Sequence, residues 1–471
     1  MELTLHEAVT LALKNNSDVR INTLELDIKK SEIKRKLAEY IPVLNLDTST
    51  TNFEDDPDTS ELKTKNQNYQ ARIIQKIPLG GELSLFVNYG RSDYSAYQTD
   101  VTNFRLGPDF SVESFSDTLA VASKDNYYTE LNLFYRQHLL KDGILGPAFI
   151  PIKETGFNHD IQKERLNQSR IILIRLVETS FYQTTLRQRE IKIYQEILEI
   201  NKQLLKDIES KQKLGMIPEI DVMSARIKVN EAITQVISSK ISFEHSVQKL
   251  KTLLNIEDRI KVIDQFSSSH NFLGDLDKLL SLAMAMNKEV AQLKTSLKKE
   301  ELLVAVAKNQ YLPQVDLYVN INKKDQGTSF GNANDLEETE YKAGIVFTYP
   351  FYPTDPKEKY FQAKKTLDKI KIQLREAELR ISNQVNMFYN QIQLVEKKIS
   401  AQSRQIKILK DRMDLALKAF KERLIDLKIV YDIQDDRISG EQKYLYYLFE
   451  YQSLNSSLQE LTGQKLSFYN L

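Results

Sequence analysis

Cysteine is missing from all 471 residues. That rules out a disulfide framework, a thiolate zinc site and a cysteine nucleophile. It leaves the compartment open, although a cysteine-free chain copes well with oxidising surroundings. Glycine and proline are sparse, at 14 and 11, so few residues interrupt long helices. No run of eighteen or more apolar residues occurs, which excludes a transmembrane helix. A charge excess is lacking too: 65 basic residues face 65 acidic ones, against the basic surplus of a nucleic-acid binder. The five histidines, His6, His138, His159, His245 and His270, include no pair at metal-ligand spacing. Gly80-Gly81 reads as a turn rather than a phosphate cradle, and nothing marks a carboxylate pair as catalytic. The expectation is a non-enzyme with no cofactor and no metal.

What is present is an internal repeat. LTLHEAVTLALKNNSDVRINTLELDIKKSEIKRKLAEYIPVLNLDTST recurs as LDKLLSLAMAMNKEVAQLKTSLKKEELLVAVAKNQYLPQVDLYVN under a shift of about 271 residues. Leu5 falls on Leu276, Asn16 on Asn287, Tyr40 on Tyr311 and Pro42 on Pro313. Each copy reads as one helix that stops where proline forces the preceding residue out of the α region. Later, KQKLGMIPEIDVMSARIKVNEA corresponds to FKERLIDLKIVYDIQDDRISGE under a shift of about 208. The two shifts differ by about 63 residues, the size of one extra hairpin in the first copy. The expected layout is repeat one over 1–255, a linker over 256–273, repeat two over 274–463 and a tail over 464–471. Long helices are predicted near 153–213 and 357–422. Ile193, Ile197, Ile200, Leu204 and Ile208, and Ile406, Leu409, Met413, Leu417 and Phe420, keep helical spacing. The bland reading of such stripes is helical-bundle core.

Strands are predicted near 43–51, 69–79, 82–91, 127–138, 315–323 and 341–349. Leu83, Leu85, Val87 and Tyr89 point one way, with Ser84, Asn88 and Gly90 among those pointing the other, and Val315, Leu317, Val319 and Ile321 alternate with Asp316, Asn320 and Asn322. Period-two alternation over about ten residues fits a membrane-barrel strand, and equally a half-buried soluble sheet. The segments 52–68, 92–126 and 322–340, rich in Asp, Asn, Ser and Thr, read as long loops. Ile77-Pro-Leu-Gly-Gly-Glu82 reads as a tight turn. Long loops at one end and short turns at the other favour the barrel. The extra hairpin is expected near 81–143.

LTLHEAVTLALKNNSDV with AEYIPVLNL, their second copies, LFYRQHLLKDGILG and LGMIPEIDVMSAR together resemble the TolC-like outer membrane efflux protein family. The resemblance covers nearly the whole chain. It implies a mixed α and β fold: a membrane β-barrel shared by a homotrimer and continued by a long periplasmic α-helical, coiled-coil barrel. It implies a passive exit duct for efflux or type I secretion in the outer membrane of a Gram-negative-type cell, in contact with outer-membrane lipid. Its partners would be a periplasmic adaptor (membrane fusion) protein and an inner-membrane pump of RND or ABC type, with no nucleic acid. An equatorial region would form from 256–273 and the tail. The family's barrel has twelve strands, four per protomer. Six strands here would make eighteen, unless the extra hairpin folds outside the wall.

The same resemblance assigns the tips. Leu214, Gly215, Met216, Ile217 and Pro218, and Leu424, Ile425 and Asp426 in the second copy, correspond to adaptor-docking helix-turn-helix junctions. Gly215 suits a left-handed helix end, Pro218 the first turn of the next helix, and Asp426 an N-cap. Arg423 stands where Gly215 does in the first copy. Asp221 matches an aspartate that relatives hold with a Tyr and an Arg, but those positions are Phe420 and Ile425 here, leaving Arg423 as the substitute partner. Asp432 matches a pore-ring aspartate, with Asp435 and Asp436 following. Three copies of each would favour cations in a narrow cleft; a solvated helix face is the plainer reading for Asp435 and Asp436.

Two other functions use the same features. A soluble coiled-coil scaffold would need only the helical stripes, and an adhesin or receptor would use the 92–126 loop. The opening Met1-Glu-Leu-Thr-Leu has no basic n-region or apolar h-region, as in an exported chain whose signal has been removed or in a cytosolic one.

Overall fold

The computed structural model describes residues 2–55, 60–106, 112–143, 149–263, 266, 274–334, 336 and 338–469, with main chain only at 54–55, 60–63, 96–106, 112–123 and 334. In chain order the elements are β1 (Glu2–Leu3), α1 (Leu5–Asn15), α2 (Ser17–Ala38), β2 (Val43–Asp55), β3 (Ser60–Ile77), β4 (Gly81–Leu106) and β5 (Val112–His138). Then come α3 (Phe149–Lys213), α4 (Glu219–Leu254), β6 (Lys261–Val262), α5 (Leu276–Met286), α6 (Lys288–Asn309), β7 (Gln314–Gly327) and β8 (Glu338–Thr348). The chain ends with α7 (Thr354–Lys421), α8 (Leu427–Leu461) and α9 (Lys465–Phe468). Two units result: Met1–Ile28, His159–Leu297 and Lys369–Leu471 form one, and Lys29–Asn158 and Lys298–Asp368 the other.

The opening helix of each repeat is two helices, not the single one its sequence suggests. Asn16 and Asn287 interrupt them in extended conformation. The Asn16 side-chain oxygen accepts from the amides of Asp18 and Val19, at 2.9 and 3.2 Å. Asn287 does the same for Glu289 and Val290, at 3.0 and 3.2 Å. A side chain that satisfies the first free amides of a new helix makes the break stable.

The helical unit has three apolar clusters. Leu3, Val9, Ile174, Val177, Phe181, Leu250, Val262 and Tyr469 share one, which joins the β1–β6 parallel pair and the C-terminal tail to α3 and α4. Ile381, Val385, Ile392, Leu448 and Tyr451 centre the second. Leu204, Ile208, Val222, Met413, Val430 and Tyr431 centre the third, drawn from all four long helices. Of the expected equatorial linker, residues 264–265 and 267–273 lie outside the described residues.

In the other unit all six strands form one antiparallel sheet, in the order β2-β3-β4-β5-β7-β8. The strands run well beyond the expected ends. Of the segments expected as loops, 52–55, 60–68, 92–106, 112–126, 322–327 and 338–340 are strand. Ladder pairing satisfies their backbone whatever their side chains, so polar composition alone did not mark them as loop. The two faces of the sheet differ in kind. Leu44, Ile73, Leu85, Leu133, Ile321 and Tyr341 lie directly opposite one another across all six strands. Asp47, Gln70, Asn88, Glu130, Lys324 and Glu338 make the corresponding row on the other face. On the apolar face Tyr69, Tyr89 and Tyr127 stack at 6.2 and 6.5 Å. Among the described residues no helix is long and apolar enough to cross a membrane.

Candidate functional site

The two tips have one geometry. After α3, the Met216 amide donates to the Lys211 carbonyl and the Gly215 amide to that of Gln212, at 3.0 and 2.8 Å. After α7, Leu424 donates to Ala419 and Arg423 to Phe420, at 2.8 and 3.1 Å. These are paired Schellman bonds, which need a left-handed residue between helix and turn. Gly215 supplies it at φ +68 and Arg423 at φ +62. Glycine adopts that conformation freely, whereas arginine does so at a cost of about 1 kcal/mol.

Pro218 does not open the next helix from inside. It is the residue before it, at φ −64 and ψ 152, because ψ there is extended and helical dihedrals begin at Glu219. Asp426 holds the equivalent place before α8, and its side chain makes no cap hydrogen bond. Ile217 and Ile425 turn inward against the third cluster, together with Phe420. Leu214, Met216 and Leu424 stay outside, at 70%, 51% and 71% exposure. The docking candidates therefore split into half-buried isoleucine anchors and an exposed apolar apex.

The gate candidates do not gather into one site within the protomer. Among the described residues Asp221, Arg423 and Asp432 make no side-chain hydrogen bond or ion pair within the protomer. Asp221 faces Tyr431, whose phenol is pushed well above its usual range by burial and then by the charges of Asp221 and Glu231. Phe420 lies under Lys211, 5.5 Å from the ammonium to the ring centroid. Lys211 also donates to the Lys421 carbonyl at 3.1 Å, tying the tips together within one copy. Asp435 and Asp436 are exposed and paired with cations: Lys228 at 3.6 Å and Arg412 at 3.0 Å. Asp432 stays exposed.

A polar layer crosses the helical core behind these aspartates. Arg437, 5% exposed, donates to Glu196 on α3 at 2.5 Å and to Glu441 one turn on at 3.1 Å. Lys410 on α7 reaches Glu441 at 3.5 Å, and Gln402 donates to the Gly440 carbonyl at 3.1 Å. Burial opposes the Arg437 charge, yet Glu196 and Glu441 outweigh it and hold its pKa above the ordinary value. Lys228, Arg437 and Glu196 were not singled out from sequence. The signal was available: Gln434, Arg437 and Glu441 interrupt the inward stripe of Val430, Leu445 and Leu448. Beside this layer a groove of about 650 Å³ is lined by Tyr194, Asn201, Lys228, Glu231, Gln434 and Asp435, among others.

Among the described residues no group of three histidine, aspartate or glutamate side chains could hold a metal ion. The tips and the layer offer fixed charge and apolar apices, with no nucleophile beside a base.

Residues 279–422 match the model of a family described as outer membrane efflux protein. No curated protein matches the chain in sequence. Among solved structures, CusC, studied for folding and transmembrane channel formation, is 14% identical with a TM-score of 0.68, over 98% of this chain and 92% of that one. The outer membrane protein VceC of Vibrio cholerae is 11% identical at 0.66, over 98% and 96%. The open-state MtrE outer membrane channel of Neisseria gonorrhoeae is 12% identical at 0.66, over 98% and 88%. At such identities the likeness speaks for the fold.

Proposed function

From a chain whose residues 279–422 carry the outer membrane efflux protein domain, on a TolC-like channel fold, we propose one protomer of a homotrimeric outer-membrane exit duct. It is a passive conduit, not an enzyme. It takes cargo from an inner-membrane pump of the RND or ABC type through a periplasmic adaptor, for efflux or type I secretion. The observation that carries this reading is the two-faced sheet. An apolar row from Leu44 to Tyr341 and a polar row from Asp47 to Glu338 suit lipid on one side and water on the other.

Two exposed helix stripes support assembly from several copies. On α4, Ile220, Met223, Ile227, Ile237 and Ile241 are each more than half exposed. On α7, Ile372 and Leu379, Met387 and Leu394, and Ile408 and Leu415 form exposed pairs seven residues apart. Seven-residue apolar spacing seeks a partner helix along a supercoiled seam, and stripes of this size are unusual on a free monomer. A neighbouring copy is the natural cover.

In this reading the lower ends of α3, α4, α7 and α8 form the periplasmic gate, and Leu214, Met216 and Leu424 meet the adaptor. Asp432, unpaired within the protomer, lines the pore. Asp435 and Asp436, held by Lys228 and Arg412, set the packing of α8 against its neighbours. The test uses the absence of native cysteine. A charged thiol reagent on Asp432→Cys should change single-channel conductance, while the same reagent on Asp436→Cys should change it less. No change at residue 432 removes it from the pore.

A further inference from the structure

The sheet leaves two edges open. Among the described residues neither β2 nor β8 has a second strand partner within the chain. In lipid, an unpaired edge leaves amides and carbonyls unsatisfied at several kcal/mol each. The six strands alternate in direction, so β2 and β8 run oppositely. Copies placed side by side can therefore join edge to edge in the antiparallel manner of membrane barrels.

Whether the extra hairpin belongs to the wall is decided by where the apolar band lies. Relative to the row containing Leu44 and Tyr341, the band sits slightly above on β2, at Leu44 and Leu46. On β4 it covers Leu83 to Tyr89, and on β5 Tyr127 to Tyr135. On β7 it has moved below, to Val315 through Ile321, and on β8 to Tyr341 through Tyr349. Read through the register, its centre stays nearly level from β2 to β5 and drops by about five residues between β5 and β7. On β3 and β4 the band occupies the same rows as on β5: Tyr69 to Ile73 lies opposite Tyr89 to Leu85, and these lie opposite Thr129 to Leu133. Across these rows both strands are laddered on both sides, and the Tyr69, Tyr89 and Tyr127 stack runs across them, as an interfacial aromatic girdle does.

We propose that every one of the six strands crosses the bilayer, and that β8 of each copy pairs with β2 of the next, closing an eighteen-stranded wall. The proposal rests on the trimeric reading above for the number of copies. With strands about 4.8 Å apart and tilted by about 36°, eighteen enclose a backbone cylinder about 34 Å across, against about 23 Å for twelve. The cross-section is more than doubled. Barrels of this strand number hold a water-filled channel, so the bilayer-level exit sets no size limit on cargo that has passed the helical part. Selection by size falls to the tips.

The experiment takes full-length protein in lipid nanodiscs. Native mass spectrometry gives the number of copies, and an electron cryomicroscopy map gives the number of wall strands. Spin labels at Leu85→Cys and Asn88→Cys report which face each side of the extra hairpin meets. Three copies, eighteen strands, oxygen-accessible label at 85 and nickel-accessible label at 88 are expected. Three copies with twelve wall strands, or both labels in water, overturn the eighteen-stranded wall and leave the exit-duct reading standing. Any other number of copies overturns the trimeric reading itself.

Discussion

The C-terminal tail is pinned by a buried ion pair, and breaking one side of it should be costly. Glu178 on α3 is 6% exposed and Lys465 on α9 is 1% exposed. The Lys465 ammonium donates to the Glu178 carboxylate and, at 2.8 Å, to the Ser456 hydroxyl. The same carboxylate accepts from Ser456 at 2.5 Å and from Tyr469 at 2.9 Å. Burial lowers the Lys465 pKa, and the Glu178 charge opposes that shift. Lys465→Met leaves a buried carboxylate with two hydroxyl donors, so the loss should fall near the lower end of the 3–5 kcal/mol range, about 3 kcal/mol. Glu178→Gln leaves a buried ammonium facing only neutral oxygens and should cost about 4 kcal/mol. The double variant removes both charges and keeps acceptors and donors for Ser456 and Tyr469, so it should return to within about 1 kcal/mol of the native protein. Urea unfolding in detergent, followed by helical ellipticity, measures all three. Single variants costing under about 1 kcal/mol, or a double variant no better than its parents, would refute the reasoning.

Other outcomes follow from the same coordinates. Arg423→Gly should stabilise the second tip by about 1 kcal/mol and Gly215→Ala should destabilise the first by a similar amount, both readable as protease resistance at the turns. Arg437→Met leaves Glu441 in the core with Lys410 as its remaining cation and should cost about 2 kcal/mol while raising spontaneous channel opening in bilayer recordings. Alkali should unfold the protein through its tyrosines. Burial raises Tyr182 to about 12, and Tyr431 and Tyr469 also lie above the ordinary value. A raised folded pKa gives stability that is complete below the unfolded value near 10 and lost as pH climbs towards the folded one. For Tyr182 that loss reaches roughly 2 kcal/mol by pH 12, and Tyr182→Phe should remove that share of the fall in melting temperature. The lowered pKa of Lys465 acts in the opposite sense below its ordinary value, so the Phe variant is the cleaner comparison.

The two helix pairs, the six strands and the tight turn at Pro78–Gly81 were legible because each rests on a local period or on turn chemistry. The Asn16 and Asn287 breaks were less so, since asparagine within a polar stretch carries no period and acts only through its own side chain. Strand ends were misread because Asp, Asn, Ser and Thr are common in loops, yet a ladder with both neighbours present carries them equally well. At the candidate gate, sequence register placed Gly215 and Arg423 in equivalent positions, and their shared left-handed backbone follows from the Schellman bonds. It did not reveal that Lys211 and Lys228 tie the helix pairs together, or that Arg437 is buried. Those pairings span hundreds of residues and depend on which faces of α3 and α8 meet, which no local pattern encodes.

The central claim is that copies of this chain make a water-filled path through a membrane. Purified protein added to a planar lipid bilayer should insert and give discrete, reproducible conductance steps, with the current altered by thiol modification at Asp432→Cys. Protein that remains soluble without detergent, or that enters the bilayer and passes no ions under any applied voltage, contradicts it.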